Sequence, residues 1–175
     1  IPNARKGKYS TIYTKKDLEM WINDLKKSKI FAFDTETTSL SYLNAEIVGL
    51  SFSTHPGAAA YIPLTHDYAG APEQLDRNYV FEILRPILES ETILKVGHNL
   101  KYDKHVLANH DINLQGIAHD SMLQSYVFNS TAVRHNLDRV SEKYLSYKTV
   151  TFEDIAGKGV KQLTFNQIDI KEAAP

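Results

Sequence analysis

The amino-acid sequence predicts an α/β fold class: a mixed β-sheet with helices on both faces. Three observations carry that expectation. Short apolar runs with a hairpin signal come first, strand–helix alternation follows, and helical patterns close the chain. Ile30–Phe33 is apolar on both faces, as a strand in the covered centre of a sheet is, and Ile93–Gly97 reads as another buried strand. The composition is that of one soluble globular domain, with 42% hydrophobic and 23% charged residues among 175. A chain of this size buries roughly 70% of its unfolded surface in a single core.

Taken in order, residues 1–8 are polar and basic (Arg5, Lys6, Lys8) and read as a linker to a domain spanning 9–175. Tyr9–Thr14 alternates as a short strand. Lys16–Lys27 carries Leu18, Trp21, Ile22 and Leu25 at helical spacing, with Thr14 as a candidate cap and Asp17 in the first turn. Ile30–Phe33 is the first central strand. Glu46–Thr54 and Ala58–Leu64 are strands joined by His55-Pro56-Gly57, a turn signal that makes them a hairpin. Asn78–Leu88 is helical through Val80, Phe81, Leu84 and Leu88, with a disturbance expected at Pro86. Strand Ile93–Gly97, helix Leu100–Asn109, short strand Ile117–Ala118 and helices Ser121–Phe128 and Leu137–Leu145 follow. Beyond Thr149 the pattern breaks into short helical turns. There is no internal repeat.

Several function classes are excluded early. Twenty Lys+Arg against twenty-one Asp+Glu give a net charge of −1, so the protein does not coat duplexes by bulk charge. With no cysteine there is no disulfide, thiolate metal site or thiol nucleophile. No apolar run approaches the roughly 20 residues that span a bilayer, and no secretory leader is visible. A cytoplasmic location is expected, as is membership of a longer protein, since the chain opens on Ile1.

The chemistry concentrates in Phe31-Ala32-Phe33-Asp34-Thr35-Glu36-Thr37. Alternation along a strand points Asp34 and Glu36 the same way. Two neighbouring carboxylates repel, and burial sharpens the repulsion. A divalent cation between them relieves it, and hard oxygen ligands suit Mg²⁺ or Mn²⁺. Taken alone, so short a motif favours the plainer reading, a strand that has ended with both acids in water. A further acid strengthens the case. Asp103 shares a helix face with Leu100, Val106 and Leu107, where a carboxylate is costly unless paired, protonated or metal-bound. A satisfied aspartate near a helix start is the alternative, just as Asn99 is a candidate N-cap. Asp120 reads as the N-cap of the Ser121–Phe128 helix. No phosphate-binding loop or serine elbow occurs.

Four segments, FAFDTETTSL (31–40), AAYIPLTHDY (59–68), LKVGHNLKYD (94–103) and TFEDIAGKGVKQLTFNQI (151–168), resemble the 3′–5′ proofreading exonuclease domain of bacterial DNA polymerase I. The likeness holds from about Tyr9 onward, in the same order and with similar spacing. Two motifs of the wider DEDD exonuclease superfamily are present as Asp34-x-Glu36 and Asn99-x-x-Tyr102-Asp103. The resemblance implies a ribonuclease-H-like fold and hydrolysis by two divalent cations, Mg²⁺ or Mn²⁺ with Zn²⁺ as a further option, about 4 Å apart. By motif match Asp34 bridges both ions, Glu36 binds the first and orients the attacking water, and Asp103 reaches the second. The implied substrate is a single-stranded or frayed DNA 3′ end, released as 5′-mononucleotides. Leu40 would wedge against the last bases and Phe152 would stack on one. Asn99, Tyr102 and Arg134 would contact sugar or phosphate. On the residues alone, Leu40 and Phe152 are ordinary core and Arg134 is a solvated loop residue.

Two departures accompany the likeness. His98 stands where the family has Gln. The family's third motif, Tyr-x-x-x-Asp, finds no match before Pro175; Asp169 comes too early and lacks the tyrosine. The expectation is therefore a domain without the helix bearing that motif, its first metal site short of a ligand. The implied setting is a bacterial, cytoplasmic, nucleoid-associated monomer, covalently joined to a polymerase domain and free of membrane. A catalytically silent module of the same fold, serving structure or DNA binding, is the competing reading. An RNA-trimming relative is the weaker third.

Overall fold

The computed structural model describes residues 7–174; most of the expected linker and Pro175 lie outside them. A six-stranded sheet runs in the order β1-β4-β3-β2-β5-β6. Its strands are β1 (Lys8–Thr11), β2 (Ile30–Thr37), β3 (Ile47–His55), β4 (Ala58–Pro63), β5 (Leu94–Gly97) and β6 (Ile117–Asp120). Only β3 runs against its neighbours: β2–β3 and β3–β4 are antiparallel, whereas β1–β4, β2–β5 and β5–β6 are parallel. The mixed sheet and the hairpin are thus as the sequence predicted.

The helices are α1 (Lys15–Lys27), α2 (Arg77–Leu88), α3 (Leu100–Ala108), α4 (Ser121–Phe128), α5 (Leu137–Leu145), α6 (Phe152–Ala156) and α7 (Ile170–Ala173), with single 3₁₀ turns at Gly159–Lys161 and Phe165–Gln167. Thr14 caps α1, its hydroxyl accepting from the Asp17 amide at 3.1 Å. Strand β1 therefore stops at Thr11 rather than Thr14, and it begins at Lys8, inside the expected linker. Pro86 sits within α2 without ending it.

The larger core lies on one face. Phe31, Phe33, Leu50, Phe52 and Ile62 pack against Leu18, Ile22 and Leu25 of α1, Val80, Leu84 and Leu88 of α2, and Leu100 and Val106 of α3. A smaller cluster on the other side joins Val48 and Tyr61 to Ala156, Phe165, Ile168 and Ile170 of the C-terminal turns. Pairing slips between Glu36↔Gly49 and Thr37↔Ile47. That one-residue bulge lets Ile47 and Leu50 share one core while Val48 serves the other.

Candidate active site

Strand β2 extends four residues beyond the Ile30–Phe33 of the sequence reading, because β3 keeps pairing with it: Asp34↔Ser51, Thr35↔Leu50, Glu36↔Gly49. The two acids are therefore inside the strand, on the face away from the larger core. They do not trail off its end. Asp34 lines an open, largely apolar trough of about 340 Å³ with Ala32, Ser51, Ser53, Ala59, Val96, His98 and Leu137. It keeps access to solvent while the walls strip much of its hydration.

Asp103, on α3, is 2% exposed. Strand β5 stops pairing with β2 at Ala32↔Val96, which leaves the next stretch of β2 without a strand on that side. Asp103 fills the gap. Its Oδ1 accepts from the Thr35 amide at 2.9 Å and the Thr35 hydroxyl at 2.7 Å. The satisfied-aspartate reading is thus half right, since one oxygen is committed to Thr35.

The three acids feel one another. Burial first, then the charge of Asp103, then that of Glu36, push the Asp34 carboxyl well above its usual range. Burial and then Asp103 raise Glu36 to about 7. Burial raises Asp103 too, against the opposing Thr35 hydrogen bonds. Crowded carboxylates held in their charged form call for a cation, so the donor chemistry fits a hard divalent ion. Among the described residues, however, no three acidic, His or Cys side chains form a group that could hold an ion unaided. Mg²⁺ typically keeps several waters and substrate oxygens in its shell, and Asp34, Glu36 and Asp103 would supply only part of it.

The DNA-contact candidates divide. Leu40 follows β2 in a loop and is 96% exposed, so the core-packing alternative does not apply to it. The Tyr102 hydroxyl is used within the protein, donating to the Ser39 carbonyl and sharing a 2.6 Å hydrogen bond with Thr37 Oγ1. It shapes the Leu40 loop. Asn99 takes the N-cap position of α3 in a left-handed conformation (φ 62°) but makes no side-chain cap. Asp120 does that work for two helices. It accepts from the Asn99 and Leu100 amides at 3.0 and 2.9 Å, and from Met122 and Leu123 of α4 at 3.0 and 3.3 Å.

Arg134 and Phe152 are brought together in a second, polar cleft of about 830 Å³ that also holds Arg139 and Lys148. Phe152 is 43% exposed and stacks on Phe165 with ring centroids 6.3 Å apart. The first turn of α5 divides the two hollows: Leu137 faces the trough, and Asn136 and Asp138 line the cleft. His98 lines the trough, its Nδ1 2.9 Å from Ser121 Oγ, and its buried Nε2 has no partner among the described residues.

Sequence reasoning missed Thr35 as the partner of Asp103, the double duty of Asp120, and a buried Tyr61–His66–Ile168 hydrogen-bond chain. A threonine between two in-strand acids was a usable signal for the first. Nothing in local spacing joins His66 to Ile168.

Comparison with known proteins gives a consistent result. A family model described as 3′–5′ exonuclease matches residues 9–173. The chain is 50% identical over 169 residues to DNA polymerase I of Pseudomonas aeruginosa and 36% identical over 182 residues to that of Rhizobium leguminosarum. These matches cover 95% and 94% of the chain but 18% of each relative, so the chain spans about a fifth of their length. Among solved structures, the POL domain of Pol1 from M. smegmatis aligns with a TM-score of 0.64 at 20% identity, over 79% of this chain and 23% of that one. Trypanosoma brucei RNase D with RNA U12 aligns at 0.64 and 12% identity, over 81% and 49%. Brucella melitensis NrnC with bound Mg²⁺ aligns at 0.57 and 19% identity, over 91% and 70%. At these identities the structures speak for the fold, which is ribonuclease-H-like.

Proposed function

The chain belongs to the 3′–5′ exonuclease family found in DNA polymerase I, and from that membership we propose that it hydrolyses the 3′-terminal phosphodiester of single-stranded or frayed DNA and releases 5′-mononucleotides. What supports this reading is the mutual repulsion of Asp34, Glu36 and Asp103, each pushed above its usual pKa, with Asp34 lining an open trough. Divalent cations, Mg²⁺ or Mn²⁺, when held there supply an activated water and stabilise the charge that develops on the phosphate and leaving oxygen. Asp34 and Glu36 present their oxygens from a rigid strand, and Asp103 is held by Thr35, so the ligands need little reorganisation. Leu40 on its exposed loop wedges at the terminal bases. Phe152 offers a stacking face and Arg134 a phosphate contact across the cleft, while Asn99 and Tyr102 border the sugar path. A frayed end is preferred because its bases are already unpaired.

The domain acts covalently joined to a polymerase domain, as a monomer at the bacterial nucleoid in the cytoplasm. No helix among the described residues is long and apolar enough to cross a membrane. The test is mononucleotide release from a 3′-labelled single strand by the intact protein with Mg²⁺ or Mn²⁺. Asp34→Ala should lower turnover by at least about 10³-fold, on the scale of lost transition-state charge stabilisation, with unfolding little changed. Wild-type turnover in that variant would defeat the assignment of Asp34, and no metal-dependent release by the native protein would return the silent-module reading.

A further inference from the structure

We infer that His66 is a positioning residue: together with Tyr61 it fixes the C-terminal segment that carries Phe165, and thereby holds the Phe152 stacking face at a set place relative to the acidic strand. This rests on the exonuclease reading, in which Phe152 meets a base.

His66 is 5% exposed and every one of its polar atoms is engaged. Its amide donates to Gln74 Oε1 at 2.8 Å and its carbonyl accepts from Gln74 Nε2 at 2.7 Å, so one side-chain amide clamps the backbone as a strand partner would. Nδ1 lies 3.0 Å from the Ile168 carbonyl, an acceptor only, and so carries the ring proton. Nε2 is then the acceptor, and the Tyr61 hydroxyl donates to it at 2.6 Å. A single tautomer satisfies both bonds. The Ile168 contact spans 102 residues of sequence.

From His66 the chain of contacts runs outward. The Phe165 ring packs 5.9 Å away, and Phe152 lies nearly parallel to Phe165, at 13°. From Tyr61 it runs inward. Gly49 pairs with Glu36 in the sheet, and a Cβ on Gly49 would fall 2.1 Å from Tyr61 Oη. The hydroxyl thus hangs over the strand position facing Glu36, and glycine is what makes room for it. One end of this connected series touches the acidic strand and the other is the exposed phenyl face.

Simple packing does not require such a device. A leucine at position 66 would fill space without polar groups to satisfy, and buried polar groups bring specificity of position more readily than stability. Position is what the segment lacks by itself. Helix α6 has five residues, α7 has four, and the two turns between have three each. Helices so short do not hold their own geometry in water, so the place of Phe152 is set by its anchors.

The experiment uses the intact protein with His66→Leu, Tyr61→Phe and His66→Asn, whose amide N–H stands near the position of Nδ1. Steady-state cleavage of single-stranded DNA should show KM raised roughly 5- to 10-fold in His66→Leu, the size of a weakened base stack, with kcat within about twofold. Tyr61→Phe should follow in the same direction, and His66→Asn should recover most of the loss. In a Phe152→Ala background, His66→Leu should add less than about twofold, because the platform is already gone. Multiplying effects in the double variant, or a fall in kcat at unchanged KM, would overturn the assignment. Backbone hydrogen exchange separates the tether from the nuclease reading. His66→Leu should speed exchange across residues 150–168 and leave β2 and β3 unchanged. If the native protein cleaves nothing, the exonuclease reading fails and exchange alone decides the tether; unaltered exchange at 150–168 refutes it.

Discussion

The two faces of the sheet are built from the same strands and do opposite work. Along β2, Phe31 and Phe33 turn toward α1, α2 and α3, where the packing is apolar, and Thr35 turns to meet the buried Asp103 of α3. Ala32, Asp34 and Glu36 turn the other way, toward serines, a glycine and an open trough. The first face supplies stability; the second accommodates acids that repel one another and a stretch of short turns pinned by polar bonds. A second apolar face would have made a firmer domain with nowhere to put charge. Placing the larger part of the apolar burial on one side leaves the other room for the acids and the trough beside its smaller cluster.

The comparison breaks most sharply at Leu84, which is fully buried in the larger core. Leu84→Ala should cost about 2–5 kcal/mol, the transfer term plus a cavity, read by urea unfolding. Activity per folded molecule should hold. Asp34→Ala should show the reverse pattern, lost turnover with stability kept or slightly raised, because a repelling charge is gone. A Leu84→Ala cost below about 1 kcal/mol would mean that the first face is not where stability resides.

The acid face should reveal itself through pH. Folding raises Glu36 from the ordinary glutamate range to about 7, so between those values the folded protein binds more protons than the unfolded chain. Stability is then full below the unfolded pKa and falls as pH rises through about 7. A rise of that size corresponds to up to about 3 kcal/mol. His66 works with the opposite sign: burial lowers its pKa, which costs stability as pH falls below its ordinary value. The difference between wild type and Glu36→Gln isolates the acid. In chelator, wild-type Tm should drop from pH 5 to pH 8 more than that of Glu36→Gln, and added Mn²⁺ should restore it at pH 8. Parallel pH profiles for the two proteins would remove the repulsion argument.

Much of the dry face was legible in the sequence, because helical and strand periodicities are written in its apolar residues. Leu18, Ile22 and Leu25 announced α1, and Thr14 with Asp17 announced its start. The acids were legible only where they broke a pattern. Asp103 stood out as a carboxylate in an apolar stripe, and it is indeed buried. The extent of β2 was not legible, since its apolar pattern stops at Phe33 while its pairing runs to Thr37. Nor was the bond from Asp103 to Thr35, 68 residues apart, or the Tyr102 hydroxyl turning to Ser39. These contacts depend on where α3 lands beyond the end of β5, which is a property of the assembled sheet. Phe152 and Arg134 were singled out by family likeness alone.

The smallest effect is expected at Leu40, and it sharpens the contrast because a leucine is the residue type that ordinarily belongs to the other face. At 96% exposure it contributes no burial to the folded domain, so Leu40→Ala should change unfolding free energy by less than about 0.5 kcal/mol. Its loop is tied down from beneath by Tyr102 through Ser39 and Thr37, which presents the side chain without packing it. If it wedges against terminal bases, part of the roughly 1.5–3 kcal/mol available to a buried leucine is realised only with DNA bound. KM for single-stranded DNA should therefore rise about 5-fold in Leu40→Ala, with Tm unmoved. A Tm shift of several degrees with unaltered KM would place Leu40 with Leu84 as a packing residue, and the division between the two faces would no longer hold at this loop.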